Sequence, residues 1–217
     1  MKILNLYACL GGNRYKWDEV AKEAGIEIEV IAVELDKELA KLYKERFPND
    51  IVIIEDAHQY LLDHYKEFDF IWSSPPCPSH SKARFARKET TKTIYPDLKL
   101  YEEIIFLENY FNGKYCVENV VPFYDPLIPG KKRGRHLYWT NFNLPNNLNE
   151  RKISIMESKD EVKKWCDFHK YDFHKYKGNQ RIDKIARNLV DFEAGRTIFE
   201  IFLGITRKKN NKQIELF

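Results

Sequence analysis

Three short segments follow one another along the chain: Pro75-Pro76-Cys77, Glu118-Asn119-Val120 and Arg133-Gly134-Arg135. Between them they supply a thiol, a carboxyl group and paired guanidiniums. That set suits chemistry at carbon-5 of a cytosine ring, which is too electron-poor to take a methyl group unaided. A thiolate must first add at carbon-6, a carboxylic acid must donate a proton at ring nitrogen-3, and an arginine fork must hold the exocyclic oxygen. Two prolines before Cys77 fix backbone angles and stiffen the loop presenting the thiol. The sulfur attacks only as a thiolate, so positive charge or backbone N–H groups are expected to lower its pKa.

The elements that must position these groups are legible as alternation. Apolar runs at 3–7, 28–33, 51–54 and 68–72 read as strands, and amphipathic stretches at 14–23, 37–46 and 57–65 read as helices. A helix over 97–110, a strand over 115–117 and an extended segment over 136–140 follow. The order predicts an α/β fold with a mainly parallel, doubly wound sheet, whose ligands bind beyond the carboxyl ends of the strands. The first strand runs into Asn5-Leu6-Tyr7-Ala8-Cys9-Leu10-Gly11-Gly12, where glycines would let the backbone approach a bound cofactor. Glu34 ends the second strand, placed for ribose hydroxyls, and Asp56 follows the third, placed for an adenine amino group. Two carboxylates in that order are the pattern of S-adenosylmethionine sites. The chain divides into a catalytic and cofactor-binding core at 1–143, a short variable segment at 144–181, a C-terminal helix returning to the core at 182–204, and a tail at 205–217.

A chain of 217 residues with 43% hydrophobic content can bury one good core. Its net charge of +3 is too small to establish a nucleic-acid partner, so distribution matters more than sum. Lys82, Arg84, Arg87, Lys88 and Lys92 face a single acid, Glu89, just downstream of Cys77, and are read as a phosphate grip or lid. Cys9, Cys77, Cys116 and Cys166 are scattered, without the spacing of a zinc site or a disulfide framework. Cys166, His169 and His174 lack a fourth ligand and a recognised spacing, so no metal is expected. No apolar run approaches a membrane span, and the first strand starts directly after Met1, so no leader is expected. Asp167-Phe168-His169-Lys170-Tyr171 is repeated at once as Asp172-Phe173-His174-Lys175-Tyr176. Its period fits neither helix nor strand, and it reads as a duplication in an exposed segment or as a surface that stacks on unpaired bases.

Taken together, these motifs resemble the DNA (cytosine-5) methyltransferase family, in the family's usual order over about the first two-thirds of the chain. The resemblance implies a Rossmann-like S-adenosylmethionine-dependent methyltransferase fold, with Cys77, Glu118 and Arg135 catalytic. It implies cofactor contacts by Tyr7, Ala8, Gly11, Gly12, Glu34, Asp56, Pro75, Leu100 and Asn188, and substrate contacts by Ser81, Lys82, Arg84, Asn119 and Arg133. Asn188-Leu189-Val190 is similar to a late family motif that returns to the cofactor pocket. Asn5 stands where the family has Asp, Cys9 where it has Gly, and Arg187 where a glycine precedes the asparagine. The span between Arg135 and Asn188 is short for a region that reads DNA sequence, which implies relaxed or very short recognition.

The expected function is methylation of a flipped cytosine in double-stranded DNA by a monomer in the cytoplasm of a bacterial or phage-infected cell. Methylation of RNA cytosine and a catalytically silent DNA- or cofactor-binding regulator are the alternatives. Amino-group methyltransferases also carry a Pro-Pro turn but follow it with an aromatic residue, where this chain has Cys77. The last residues, Gln213-Ile214-Glu215-Leu216-Phe217, resemble the peptide by which bacterial proteins dock on the sliding clamp, with Gln213, Leu216 and Phe217 as anchors.

Overall fold

Successive side chains of a strand point to opposite faces, and the first strands of this chain are apolar on both, so the sheet they form must be covered on two sides. The computed structural model describes residues 1–82, 92–146, 148 and 160–205. Over these the order is β1 (Lys2–Leu6), α1 (Trp17–Glu23), β2 (Glu29–Val33), α2 (Lys37–Arg46), β3 (Ile51–Ile53), α3 (Ala57–His64) and β4 (Phe70–Ser73), then α4 (Lys99–Tyr110), β5 (Lys114–Val120), β6 (Lys131–Arg133), β7 (His136–Thr140), α5 (Glu161–His169), α6 (Ile182–Asn188) and α7 (Phe192–Phe202). The strands form one sheet in the order β3-β2-β1-β4-β5-β7-β6. β1 to β5 are parallel, and β7 lies antiparallel to both β5 and β6. This is the expected doubly wound sheet, with the winding reversed between β1 and β4, the place where such sheets bind their ligands.

Leu4, Leu6, Val33 and Ile71 meet Leu61, Leu100, Ile104 and Leu107 of α3 and α4 on one face. On the other, Ile3, Val30, Phe70 and Trp72 meet Trp17, Val20, Ile198 and Phe199 of α1 and α7, with Trp17 stacked on Phe199 at a 5.2 Å centroid separation. Carboxylates start three of the helices: Asp36 accepts from the Glu38 and Leu39 N–H groups at α2, Asp56 from Gln59 at α3, and Asp191 from Glu193 at α7. No helix among the described residues is long and apolar enough to cross a membrane.

Four expectations need correcting. β5 runs to Val120 rather than 117, because antiparallel β7 extends its ladder to the Val120↔His136 pair; Glu118 therefore sits inside a strand opposite Tyr138. β6 is a Lys-Lys-Arg stretch with no apolar alternation, and only its partner β7 makes it a strand. Residues 182–204 form two helices, parted where Asp191 starts α7. The tandem repeat is only partly exposed: Asp167, Lys170, Asp172, His174 and Lys175 face solvent, while part of its aromatic content is packed inward. His169, Phe173 and Tyr176 are buried with Trp165, Leu39 and Leu189, and His169 stacks on Trp165. Burying His169 also removes it from the trio considered for a metal; Asp172 instead joins Cys166 and His174, with ligand atoms within 4.8 Å of one another.

Candidate active site

β4 stops at Ser73, since the prolines at 75 and 76 cannot continue a ladder. The loop that follows is tied down on both sides. Asn119 Nδ2 donates to the Pro75 carbonyl at 2.9 Å, and the Cys77 carbonyl accepts from the His80 and Ser81 N–H groups at 3.0 and 3.1 Å. Ser81 makes an isolated bridge to Pro122, and His80 Nδ1 lies 2.6 Å from the Tyr124 hydroxyl. Asn119, expected to contact substrate, is thus buried, with its side chain holding the Cys77 loop against β5. Lys82 is exposed beside this loop, while Arg84, Arg87 and Lys88 lie outside the described residues.

Cys77, Glu118 and Arg135 converge from three elements and act on one another electrostatically. Burial pushes the Glu118 carboxyl up to about 7, against the opposing pull of a Ser74 hydrogen bond and the Arg135 charge. A carboxyl group so placed carries a proton near neutrality and can give it up. His136 Nε2 lies 3.5 Å from Glu118 Oε1, but burial and then the charges of Arg135 and Arg133 push that imidazole down to about 3, so the two do not form an ion pair at neutral pH. The Cys77 thiol differs from expectation: burial and then the Glu118 charge push it up, with Arg135 opposing. Burial thus favours the neutral thiol; protonating Glu118 removes the second opposing influence, while the Arg135 charge favours the thiolate.

The two arginines of the hairpin divide their work. Arg135 is exposed at the rim, hydrogen-bonded to the Arg187 carbonyl and placed over the Trp165 ring at 5.8 Å. Arg133, expected to contact substrate, is instead buried, donating to the Leu148 carbonyl at 2.7 Å and pairing with Asp191 at 3.1 Å. Its charge is used to dock the hairpin on the start of α7.

At the cofactor end, the turn after β1 takes left-handed backbone at Tyr7 (φ 54°) and Cys9 (φ 47°), a conformation costly for side-chain-bearing residues. Glu34 spans the turn, accepting from the Cys9 N–H at 2.8 Å and the Asp36 N–H at 2.9 Å. Gly11 and Gly12 are also required by packing within the protein. A Cβ on Gly11 would lie 2.3 Å from the Phe47 ring, and one on Gly12 would lie 2.2 Å from the Val190 carbonyl. The space they free is filled by the protein's own α2 end and by Leu189-Val190, so the late segment does return to this turn, with Asn188 exposed beside it. Ala8 and Leu100 turn their side chains into apolar clusters, which leaves Ala8 only its backbone to offer a ligand.

Glu103 was not among the residues singled out from sequence. It is an acid in the apolar stripe of α4, between Leu100, Ile104 and Leu107, and that misplaced charge is the signal that could have found it. Its carboxyl group is fully enclosed, accepting from the Tyr7 hydroxyl at 2.6 Å and the Ser73 hydroxyl at 2.5 Å.

Residues 1–121 match the model of the C-5 cytosine-specific DNA methylases, more than half of the 217-residue chain. The chain belongs to that family. Its members are S-adenosylmethionine-dependent methyltransferases, and S-adenosylmethionine is the cofactor this membership brings. Among solved structures, the chain is similar to a DNMT2 variant from Spodoptera frugiperda (25% identity, 58% of this chain and 37% of that one, TM-score 0.39). It is also similar to the methyltransferase EhMeth of Entamoeba histolytica (14%, 55% and 38%, 0.38) and to a DNA modification methyltransferase encoded within an E. coli prophage (20%, 58% and 34%, 0.37). The matched part thus spans little more than a third of those chains. No curated protein matches the chain in sequence.

The residues present fit this family's cofactor. Burial pushes the Glu34 carboxyl up, and each of its oxygens keeps a lone pair beyond the backbone N–H it already accepts, enough for a ribose diol. Asp56 uses one oxygen on the Gln59 N–H and retains the other for an amino group. Glu34→Ala and Asp56→Ala are each expected to weaken S-adenosylmethionine binding by about 1–3 kcal/mol, read by calorimetry. Unchanged affinity in both would move the pocket elsewhere.

Proposed function

We propose that the chain methylates carbon-5 of cytosine in DNA, on a base turned out of the duplex, with Cys77 as covalent nucleophile. The observation that carries the reading is the convergence of Cys77, Glu118 and Arg135, with Glu118 able to hold a proton near neutral pH. When bound, S-adenosylmethionine supplies an electrophilic methyl group on a sulfonium. The chain's own residues do the rest. The Cys77 thiolate forms a bond to carbon-6 as Glu118 passes its proton to nitrogen-3, and Arg135 offers donors to the exocyclic oxygen. The electron pair freed at carbon-5 takes the methyl group as its bond to the sulfonium sulfur breaks; loss of the carbon-5 proton to a base then restores the double bond and expels the thiolate, and the nitrogen-3 proton returns to Glu118. Stacking covers the ring faces inside a duplex, so the base must leave the helix to be reached from carbon-6.

Asn119 and the Ser81–Pro122 bridge support this reading by fixing the loop that aims the sulfur. The short segment before Asn188 supports little sequence reading, since α5 and the repeat are spent on packing against the core. The test is incubation with labelled S-adenosylmethionine and separate duplex DNA, RNA and single strands, followed by mapping of the methylated atom. Label at carbon-5 of duplex cytosine is expected; label in RNA alone would move the substrate, label on an amino group would overturn the chemistry, and none at all would favour a silent regulator.

We also propose docking on the sliding clamp through Gln213, Leu216 and Phe217, which lie outside the described residues. A tether would raise the local concentration of the protein on newly copied DNA and offset weak base reading. In a pull-down with immobilised bacterial clamp, Leu216→Ala/Phe217→Ala is expected to lose retention; equal retention of wild type removes the proposal.

A further inference from the structure

The turn after β1 and the end of β4 flank the place where the sheet reverses its winding, and one buried group holds both. Glu103, from α4, accepts from Tyr7 at 2.6 Å and from Ser73 at 2.5 Å. Tyr7 is one of the left-handed residues of the cofactor turn, and Ser73 is the last residue before the loop that carries Cys77. A third partner arrives from α3: His58 Nδ1 lies 3.0 Å from the same carboxyl group, two residues beyond Asp56. We infer that Glu103 is a positioning residue for the cofactor site, clamping the β1 turn to the end of β4, with His58 as a partner whose grip depends on its proton.

The physical case is one of compensation. Tyr7 adopts φ 54° at a cost that the surrounding bonds must offset, and its hydroxyl has Glu103 as acceptor. Without that acceptor the half-buried phenol would lose its partner inside the protein and the turn would be free to relax out of the conformation that presents Ala8 and Cys9. Around His58 the charged groups are Glu103 and Glu102, which favour the imidazolium, and Lys99, which opposes it; Asp56 and Asp97 bear on Tyr7 from the sides. The hydrogen bond to Glu103 holds the His58 pKa above its ordinary value. A raised histidine contributes its full pairing below the ordinary pKa of 6.5 and loses it as pH rises through the raised value, so the clamp is tightest on the acid side.

The inference rests on this place being the cofactor site and not on which base is methylated, so the probe is S-adenosylmethionine alone, titrated calorimetrically into the full chain at about pH 6 and about pH 8.5. Glu103→Gln, shown folded by circular dichroism, is expected to raise the Kd about tenfold at both. Wild type is expected to bind more weakly at the higher pH, and that step to vanish in His58→Gln. Wild-type affinity in folded Glu103→Gln, or an unchanged pH step in His58→Gln, would overturn the inference. If Glu103→Gln does not fold, Tyr7→Phe and Ser73→Ala each remove one of the bonds; weakened binding in both supports the clamp, and wild-type binding in both overturns it. Loss of DNA methylation with these affinities intact would count against the proposed reaction and leave the clamp standing.

Discussion

Cys77→Ser is expected to lower methyl transfer roughly 10⁴-fold or more, about 5 kcal/mol of barrier, while S-adenosylmethionine binding stays close to wild type. A serine hydroxyl ionises far above the thiol, and among the described residues whose charges bear on residue 77 none is a base ready to take its proton. Glu118 is a carboxyl group whose charge bears on Cys77, and the proposed reaction needs it protonated, not as a base. The substitution leaves the loop itself intact, because the ties at 77 run through its carbonyl to His80 and Ser81 rather than through the sulfur. A duplex carrying 5-fluorocytosine should trap the wild type covalently, since fluorine cannot leave as the carbon-5 proton does. Turnover retained by the serine variant, or trapping through Cys9, Cys116 or Cys166, would identify a different nucleophile; Cys116 is fully buried inside β5, which argues against it.

Glu118→Gln is expected to cost about 10²- to 10⁴-fold in kcat, the range for losing a general acid, and to change stability in the opposite direction. Glu118 titrates near 7 in the folded protein against an ordinary 4.5. Between those values the folded state keeps a proton that the unfolded state releases, so stability falls as pH rises through the window. Above it the wild type carries a penalty of roughly 3 kcal/mol that glutamine does not. Urea unfolding should therefore show the variant the more stable at about pH 8, with the difference closing toward about pH 4.5. The wild-type kcat/KM should fall as pH climbs past about 7, as the acid is lost, with an opposite limb from Cys77. An equal stability difference at both pH values would mean that Glu118 does not titrate as the buried acid described.

Local sequence determined the alternation of elements and the chemistry-bearing residue types. Apolar period and carboxylate caps are properties of a few neighbours, and α2 begins and ends where its pattern says, at Lys37 and Arg46. Cys77, Glu118 and Arg135 were legible for a similar reason: thiol, acid and guanidinium each announce a reactivity. What the tertiary structure decided was how each polar group spends its bonds. Arg133 and Arg135 are two positions apart and chemically identical, yet the antiparallel hairpin turns the first into the protein onto Asp191 and leaves the second at the rim. Asn119 became a clasp only because β5 lies beside the Pro75 carbonyl, and the glycines of the cofactor turn answer to Phe47 and Val190, far along the chain. Glu103 depended most on the fold, since its partners Tyr7, His58 and Ser73 come from three separate elements. Burial and charge set whether an acid holds its proton, and both are sums over neighbours that only folding assembles.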